Sequence, residues 1–599
     1  MKNADQITHL FEIVDRHEKI FTAKPNALIS KINGEWIPVS SKDFVEKVKQ
    51  VSAGLHALGL IKGDRIATIS NNRPEWNMVD HGMSQLGIVH VPVYTTIGAD
   101  EFEYILRHSE PKLIFISDKH LYKTILPIKE KIAVISEIYT FDEVEGAHNW
   151  NEVLEEGKKL VDKRDEIIEK SRSEIQQEDL ATIIYTSGTT GNPKGVMLSH
   201  KNIVTNLHSI GQSFDFTEKD STVSFLPICH IYERTINYYF QHQGLSIFYA
   251  ESMGTLTQNL HEVLPNVLIL VPRVLEVVYD KIIGKGKDLT GIKKRIFFWA
   301  VQLGERFKFE KNNWWYNQQL KLADKLVFVK WREAIGKNIR IIMVGGAALQ
   351  PRLARVFNAA GMWVGEGYGM TESSPVIAAN NPGRGNNMPG TVGKVLNDIE
   401  VKIAEDGEIL TRSDCVMMGY YKEPELTKDA IDEDGWLHTG DVGEMVDGIY
   451  LKITDRKKEI FKLSSGKYIA PQLIENKLKE SFFIEQAMVV GENQKFASAL
   501  ISPNFQFIHE WCSRHNIKYH DNKDMLQNEL VVKRFQREVA EINKQLGQFE
   551  QIKRIRLVGE TWAPHTGELS PTLKLKRKYL TGRYKNLIED IYKVEQSRD

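Results

Sequence analysis

The chain has 599 residues, 42% hydrophobic and 26% charged, with a formal net charge of -1. That length supports two or more domains with sizeable cores, and the near-neutral balance argues against nucleic-acid binding by the whole protein, which would leave a strong basic excess. The three cysteines, Cys229, Cys415 and Cys512, are scattered and odd in number. They spell neither a disulfide framework nor a clustered zinc site, and a reducing, intracellular setting is expected.

The N-terminus, MKNADQITHLFEIVDRHEKI, mixes acids and bases and lacks the apolar stretch of a signal peptide. No run approaches the roughly eighteen apolar residues of a membrane span; the most apolar stretch is Val267 to Val271. A cytoplasmic protein is expected, bound at most to a membrane surface. From about residue 60 to 450, short apolar runs alternate with helical patterns. Ile66 to Ile69, Leu113 to Ile116, Ala133 to Ile135, Thr182 to Tyr185 and Ile339 to Val344 read as buried strands, which predicts an α/β fold rich in parallel sheet.

Tyr185-Thr186-Ser187-Gly188-Thr189-Thr190-Gly191-Asn192-Pro193-Lys194-Gly195 follows one of these strands and precedes a helix that Ser199 is placed to cap. Its three glycines and four Ser or Thr residues expose N–H and O–H donors, and Lys194 adds a positive charge, equipment suited to a polyphosphate. A flexible surface loop uses the same residues. A Walker-type loop is disfavoured, because Pro193 precedes the lysine and Gly195 stands where a magnesium-binding hydroxyl belongs.

Segment 281–340 holds fifteen Lys or Arg against five Asp or Glu, with Phe297, Phe298, Trp299, Phe307, Phe309, Trp314, Trp315, Tyr316, Phe328 and Trp331 interleaved. Such a stretch suits an anionic membrane surface, and equally a solvated helical insertion with its aromatics packed inward. In Gly365-Glu366-Gly367-Tyr368-Gly369-Met370-Thr371-Glu372, Tyr368 offers a flat face for a purine and Glu372 a hard oxygen for Mg²⁺. Alone, this also reads as a turn with a core tyrosine. Asp441, in Thr439-Gly440-Asp441, suits the two hydroxyls of a ribose, with Arg456 completing the grip. Singly, each also reads as structural. Val446-Asp447-Gly448-Ile449-Tyr450 looks like a hairpin turn, and a small second domain is expected to begin at Asp455, giving domains 1–454 and 455–599.

YTSGTTGNPKG, GGAAL at 345–349, GYGMTE at 367–372, TGD at 439–441 and DRKKEI at 455–460 occur in this order. Together they resemble the adenylate-forming superfamily of acyl-CoA synthetases, luciferases and nonribosomal-peptide adenylation domains, over nearly the whole chain. LPICHIYER at 226–234, VPRVLE at 271–276, the basic insertion through Lys325-Leu326-Val327-Phe328, and SPTLKLKRK at 570–578 look most like a long-chain fatty acid–CoA ligase. The resemblance implies a large N-terminal domain of parallel-rich sheets packed with helices and a small mobile α+β C-terminal domain. It implies ATP, Mg²⁺, a fatty acid and CoA as the small molecules handled.

It also implies roles. Thr186, Ser187, Gly188, Thr189, Thr190, Gly191 and Lys194 would hold the ATP phosphates, with Thr186 and Glu372 beside Mg²⁺. Gly346, Ala347 and Tyr368 would surround adenine, and the neighbours of Tyr368, namely Glu366, Gly367, Gly369, Met370 and Thr371, would also contact the nucleotide. Asp441 and Arg456 would bind ribose. Asp455 resembles a hinge, with Lys458, Lys462 and Tyr468 near the nucleotide or the domain interface. His230 and Tyr232 fall at the entrance to the acyl pocket; a polar pair packed under a helix is the structural alternative. The family's C-terminal lysine usually follows glycine, and this chain departs from that. Placing glycine-lysine-x-x-arginine on Leu573 to Arg577 gives Lys574 as the catalytic lysine with Arg577 in register, and Lys576 as the alternative.

Overall fold

The computed structural model describes residues 6–186, 192–309, 312–563, 566–570 and 574–593, the side chain of Arg384 excepted. The chain divides into two compact units, residues 1–401 with 411–438, and residues 402–410 with 439–599.

The first unit contains two large sheets. One runs in spatial order Gly419–Tyr420, Lys194–Ser199, Leu180–Thr186, Val89–Val93, Arg65–Ile69, Leu113–Ile116, Glu137–Thr140 and His148–Asn149. From Leu180–Thr186 to His148–Asn149 every pairing is parallel. Helices cover both faces of such a sheet, so a central strand is apolar throughout: Leu113, Ile114, Phe115 and Ile116 are all buried. The second sheet carries parallel Leu28–Ile32, Ser246–Tyr249, Ser221–Ser224, Val267–Leu270, Ile341–Val344 and Trp363–Gly369. Antiparallel Val376–Ala379 extends it beyond Trp363–Gly369.

Four of the five expected strands are present; Ala133 to Ile135 is a turn. Ile132 and Ile135 are buried while Val134 is exposed, and the Ile135 N–H donates to the Ile132 carbonyl at 3.1 Å. That spacing of three closes a turn, and the strand comes later, at Glu137–Thr140. Ser199 caps the helix His200–Ser213 as expected, accepting from the Asn202 N–H while the Asn202 side chain accepts from the Ser199 N–H.

The basic segment is helical: Pro272–Asp288, Gly291–Glu305, Trp314–Ala323, the π-turn Asp324–Phe328, and Val329–Ile335. Phe297, Phe328 and Trp331 pack inward with Tyr279 and Phe357, whereas Trp314 and Trp315 are exposed. Among the described residues no helix is long and apolar enough to cross a membrane.

In the second unit, Leu437–Val446 and Tyr450–Arg456 form the expected hairpin. Its turn needs two successive positive φ angles, which Asp447 (52°) and Gly448 (67°) supply. Beyond it, Ile484–Val490, Ser498–Pro503 and Arg554–Leu557 form a three-stranded sheet. Alternation along these strands feeds two cores. Ala487, Val489, Ala499 and Ile501 join Phe483, Ile508 and Phe535. Met488, Val490 and Leu500 join Trp562, Leu580, Tyr584 and Ile591.

Candidate active site

Leu180–Thr186 and Lys194–Ser199 are antiparallel neighbours, with Thr186 opposite Lys194. The glycine- and hydroxyl-rich segment therefore lies between two strands, and among the described residues the next helix begins at His200. Ser187, Gly188, Thr189, Thr190 and Gly191 lie outside the described residues. Lys194 places its ammonium 4.7 Å from the centroid of the Tyr420 ring, a cation–π contact. The Tyr420 hydroxyl donates to Glu372 Oε1 at 2.9 Å, and the Glu372 carbonyl accepts from the Met417 N–H at 2.9 Å. Burial and the Glu372 charge hold the Tyr420 hydroxyl well above the usual phenol range, so it remains a donor. Lys194, Tyr420 and Glu372 thus form one polar chain at the sheet edge.

Glu366, Gly367, Tyr368 and Gly369 lie in the strand Trp363–Gly369, with Met370 leading into the short 3₁₀ turn Thr371–Ser373. The glycines serve close packing. A Cβ on Gly365 would stand 2.5 Å from the Asn380 carbonyl oxygen, and one on Gly369 only 1.8 Å from that of Pro375. Tyr368 is buried. Glu366 is buried too, and its Oε1 accepts the Leu349 N–H at 2.9 Å. Burial pushes its carboxyl up to about 8.

The loop between Ile341–Val344 and the helix Pro351–Ala359 presents Gly346 and Ala347 to solvent, with Gly346 at φ +82°. The ring of Tyr232 lies against this loop: a Cβ on Gly345 would be 2.9 Å from its Cζ. The Tyr232 hydroxyl donates to the Met343 carbonyl at 3.4 Å. His230 caps the helix Ile231–Gln243, its Nδ1 accepting the Tyr232 N–H at 3.1 Å. Of the two side chains, the structure places that of Tyr232 beside the Gly345–Ala347 loop.

In the second unit, Asp441 and Arg456 are opposite each other in the hairpin, with Arg456 Nε 3.2 Å from Asp441 Oδ1. The Asp441 N–H donates to Thr439 Oγ1, and Gly440 turns the strand at φ +71°. Asp455 is buried at the end of the same hairpin; its carboxylate accepts the Arg456 N–H at 2.6 Å and the Gln472 N–H at 3.1 Å. Burial, helped by Glu475 and Glu459, raises it to about 7. Lys458 is exposed, and Lys457 instead pairs with Asp406 and Glu408. Lys462 and Tyr468 face each other across a two-stranded ribbon, the ammonium 5.5 Å from the ring centroid.

Lys574 and Lys576 are both exposed. The Lys574 N–H donates to Ser570 Oγ at 3.0 Å and its carbonyl accepts the Ser570 N–H at 2.7 Å, while Lys576 donates its N–H to the Glu568 carbonyl at 2.8 Å. Arg577 is fixed far more firmly. Its Nε lies 2.8 Å from Glu459, and one terminal nitrogen lies 2.6 Å from both oxygens of Glu475.

Two residues of these clusters escaped the sequence analysis. Tyr420 carried only the weak signal of Gly419, which at φ +134° would place a Cβ 2.6 Å from Thr427. Glu475, an acid inside the helix Pro471–Leu478, carried none. Among the described residues no three His, Cys, Asp or Glu side chains gather as a self-sufficient metal site. A magnesium ion arriving with a nucleotide needs fewer protein oxygens, since it keeps waters and takes phosphate oxygens. The Glu372 carboxylate beside Lys194 and Tyr420 fits that demand.

These clusters bring together cations, hydroxyl donors and buried carboxylates, and comparison with known proteins names the class. The model of the AMP-binding enzyme family matches residues 19–421, and that of the AMP-binding enzyme C-terminal domain matches residues 458–596. The chain belongs to the AMP-binding enzyme family. Among its relatives is the peroxisomal long chain acyl-CoA synthetase 7 of Arabidopsis thaliana, 32% identical over 93% of this chain and 82% of that protein. The human long-chain-fatty-acid–CoA ligase 1 is 31% identical over 98% and 87% of the two chains. The long-chain-fatty-acid–CoA ligase FadD15 of Mycobacterium bovis is 30% identical over 94% of each. The same fold occurs in the adenylation domain of a carboxylate reductase from Mycobacterium chelonae (TM-score 0.74, 20% identity, 98% and 91% covered). It occurs also in a fatty acyl CoA synthetase of Mycobacterium tuberculosis (TM-score 0.61, 19% identity, 97% and 99% covered).

Proposed function

We propose that this protein is an AMP-forming long-chain fatty acid–CoA ligase. It converts ATP, a fatty acid and CoA into acyl-CoA, AMP and diphosphate through a fatty acyl-adenylate. The observation that carries the reading is the likeness to long-chain acyl-CoA synthetases of a plant, an animal and a bacterium over 93%, 98% and 94% of the chain.

In the first half-reaction a carboxylate oxygen of the fatty acid attacks the α-phosphorus and diphosphate leaves. Lys194, oriented on the Tyr420 ring, neutralises phosphate charge together with Thr186 and the donors of residues 187–191. Mg²⁺, held by Glu372 and Thr186 with the phosphates, would supply further charge neutralisation. Gly346, Ala347 and Tyr368 take adenine, while Asp441 and Arg456 take the ribose hydroxyls. Support for the ribose pair is its geometry: the buried Asp441 carboxylate lies 3.2 Å from the Arg456 guanidinium. The exposed Lys574 stabilises the charge building at the α-phosphate. Positioning and preorganised charge of this kind supply most of the rate in phosphoryl and nucleotidyl transfer.

In the second half-reaction the CoA thiol attacks the acyl carbon of the mixed anhydride, and AMP leaves with the bridging oxygen. We place the hinge at Asp455, about which residues 455–599 turn between the two steps; its buried carboxylate fastens two main-chain N–H groups there. His230 and Tyr232 line the acyl entrance, supported by the packing of Tyr232 on Gly345. A cytoplasmic setting suits the substrates and the buried, unpaired cysteines.

The test is a panel of acids from acetate to a twenty-carbon chain, assayed for CoA- and ATP-dependent AMP formation with Mg²⁺ present or chelated. Saturated acids of about twelve to eighteen carbons should outcompete acetate, benzoate and coumarate, since each buried CH₂ contributes about 0.8 kcal/mol. A preference for acetate or an aromatic acid overturns the substrate. AMP without thioester means delivery to a carrier protein or another acceptor.

A further inference from the structure

The basic, aromatic segment is not used by the reaction, and the structure sorts its residues onto two faces. From residue 314 to 335 the chain is one helical run, Trp314–Ala323, Asp324–Phe328 and Val329–Ile335. Ala323, Val327, Phe328, Trp331 and Ile335 are buried, and the Tyr316 hydroxyl ties the run to the Leu303 carbonyl at 2.7 Å. The π-turn helps to make this division. Phe328 lies fourteen residues beyond Trp314, and in an unbroken α-helix about four turns of 3.6 residues would return it to the face of Trp314. The wider turn rotates it inward.

What remains outside is large and apolar. Trp314 is 70% exposed, Trp315 64%, Leu322 51% and Leu326 41%, values that core residues of these types do not show. Lys321, Lys325 and Lys330 are exposed among them. Of the two acids in the run, Asp324 is matched by Arg332 at 2.6 Å, leaving Glu333. The wider segment 281–340 carries ten more cations than acids in a chain whose net charge is -1.

We propose that this face is a docking surface for an anionic lipid membrane. Tryptophan rings belong at the headgroup level, leucines reach the acyl boundary, and lysines flank them with their charges toward anionic headgroups. Nucleic acid would satisfy the lysines but leave Leu322 and Leu326 unused. The face gives the proposed ligase access to a substrate that dissolves in the bilayer, and in that purpose alone it rests on the fatty-acid reading.

The test is sedimentation of the full chain with vesicles of phosphatidylcholine containing phosphatidylglycerol, against phosphatidylcholine alone, with no acyl substrate present. Binding should need the anionic lipid and weaken as salt rises, since at physiological salt charges are screened beyond about 8 Å. Trp314→Ala with Trp315→Ala, and separately Lys321→Gln with Lys325→Gln and Lys330→Gln, should each lower affinity at least about tenfold. Turnover of a water-soluble medium-chain acid should be unchanged in both variants, which shows that they fold. Undiminished vesicle binding in both variants, or none by the parent chain at low salt, overturns the proposal. So does loss of self-association, or of oligonucleotide binding, in the variants without any vesicle binding. Because no acyl substrate is used, failure here leaves the ligase reading standing, and failure of the acid panel leaves this result standing.

Discussion

Lys194 sits on a sheet strand with its ammonium over the Tyr420 ring, and the ring's hydroxyl continues the contact into buried Glu372. Lys574 stands exposed on a short connection; what is fixed there is its neighbour Arg577, clamped between Glu459 and Glu475. Two lysines proposed for the same phosphates are thus held by different means. In the first unit the backbone of a sheet sets the side chain directly. In the second, a buried ion pair sets the segment, and the lysine itself is exposed. The contrast fits a reaction in which the phosphates must be gripped throughout and the second cation is needed for one step.

The largest effect expected is on that clamp. Arg577→Ala leaves the Glu475 carboxylate buried with neither guanidinium hydrogen bond. Removing one partner of a buried pair costs about 3–5 kcal/mol, and the loss should appear in denaturant unfolding of the second unit. Arg577→Ala combined with Glu475→Gln should recover much of it, because the stranded charge is gone. If the single variant is as stable as the parent, the pair is not fixing the segment and the comparison with Lys194 fails.

How much of this was legible follows from what kind of link each feature is. The hairpin at Asp447-Gly448 and the Ser199 cap are local, written within a few residues, and both are present. Another hairpin was equally legible and passed over: Asn33 and Gly34, at φ 51° and 86°, join Leu28–Ile32 to Glu35–Val39. Ala133 to Ile135 failed for the opposite reason, since a short apolar run fits a turn with two buried isoleucines as well as a strand. The clusters were illegible where they depend on distant pairing. Tyr420 reaches Lys194 only because Gly419–Tyr420 joins the edge of the Lys194–Ser199 strand. Arg577 meets Glu475 across 102 positions of sequence. Residue roles came through the ordered motifs, and neither Tyr420 nor Glu475 lies in one.

Smaller, and confined to one half-reaction, is the effect of the exposed lysine itself. Loss of a charge-stabilising donor costs roughly 10²–10³ in rate. Lys574→Ala should lose that much in acyl-adenylate formation, yet turn supplied acyl-AMP and CoA into thioester at close to the parent rate. Unlike Arg577→Ala, it should leave unfolding unchanged. Lys576→Ala decides the register: if it abolishes adenylation while Lys574→Ala is nearly silent, the catalytic lysine lies two residues further on. Should neither matter, the tail is only a charged tail, and the contrast with Lys194 loses its functional meaning.

The smallest effect separates two buried acids. Glu475 is met by a guanidinium, Glu366 by the Leu349 N–H. Burial raises both carboxyls, that of Glu475 against the pull of Arg577, and takes Glu366 from an ordinary 4.5 to about 8. Between those values the folded chain keeps a proton that the unfolded chain has released, so rising pH favours unfolding across that window and has no further effect outside it. Glu366→Gln keeps an oxygen for the Leu349 N–H and removes the titration. The variant should therefore gain in melting temperature relative to the parent as pH rises from about 5 to about 8, the two curves running parallel outside that range. Glu233 and Asp455, whose carboxyls burial raises to about 8 and about 7, and Glu475, which burial also raises, contribute equally to both proteins and cancel in the difference. A difference that stays constant across the window would mean that Glu366 is already ionised in the fold. Its environment would then have to supply a compensating charge, as Arg577 does for Glu475, and the distinction between the two units would narrow to the lysines alone.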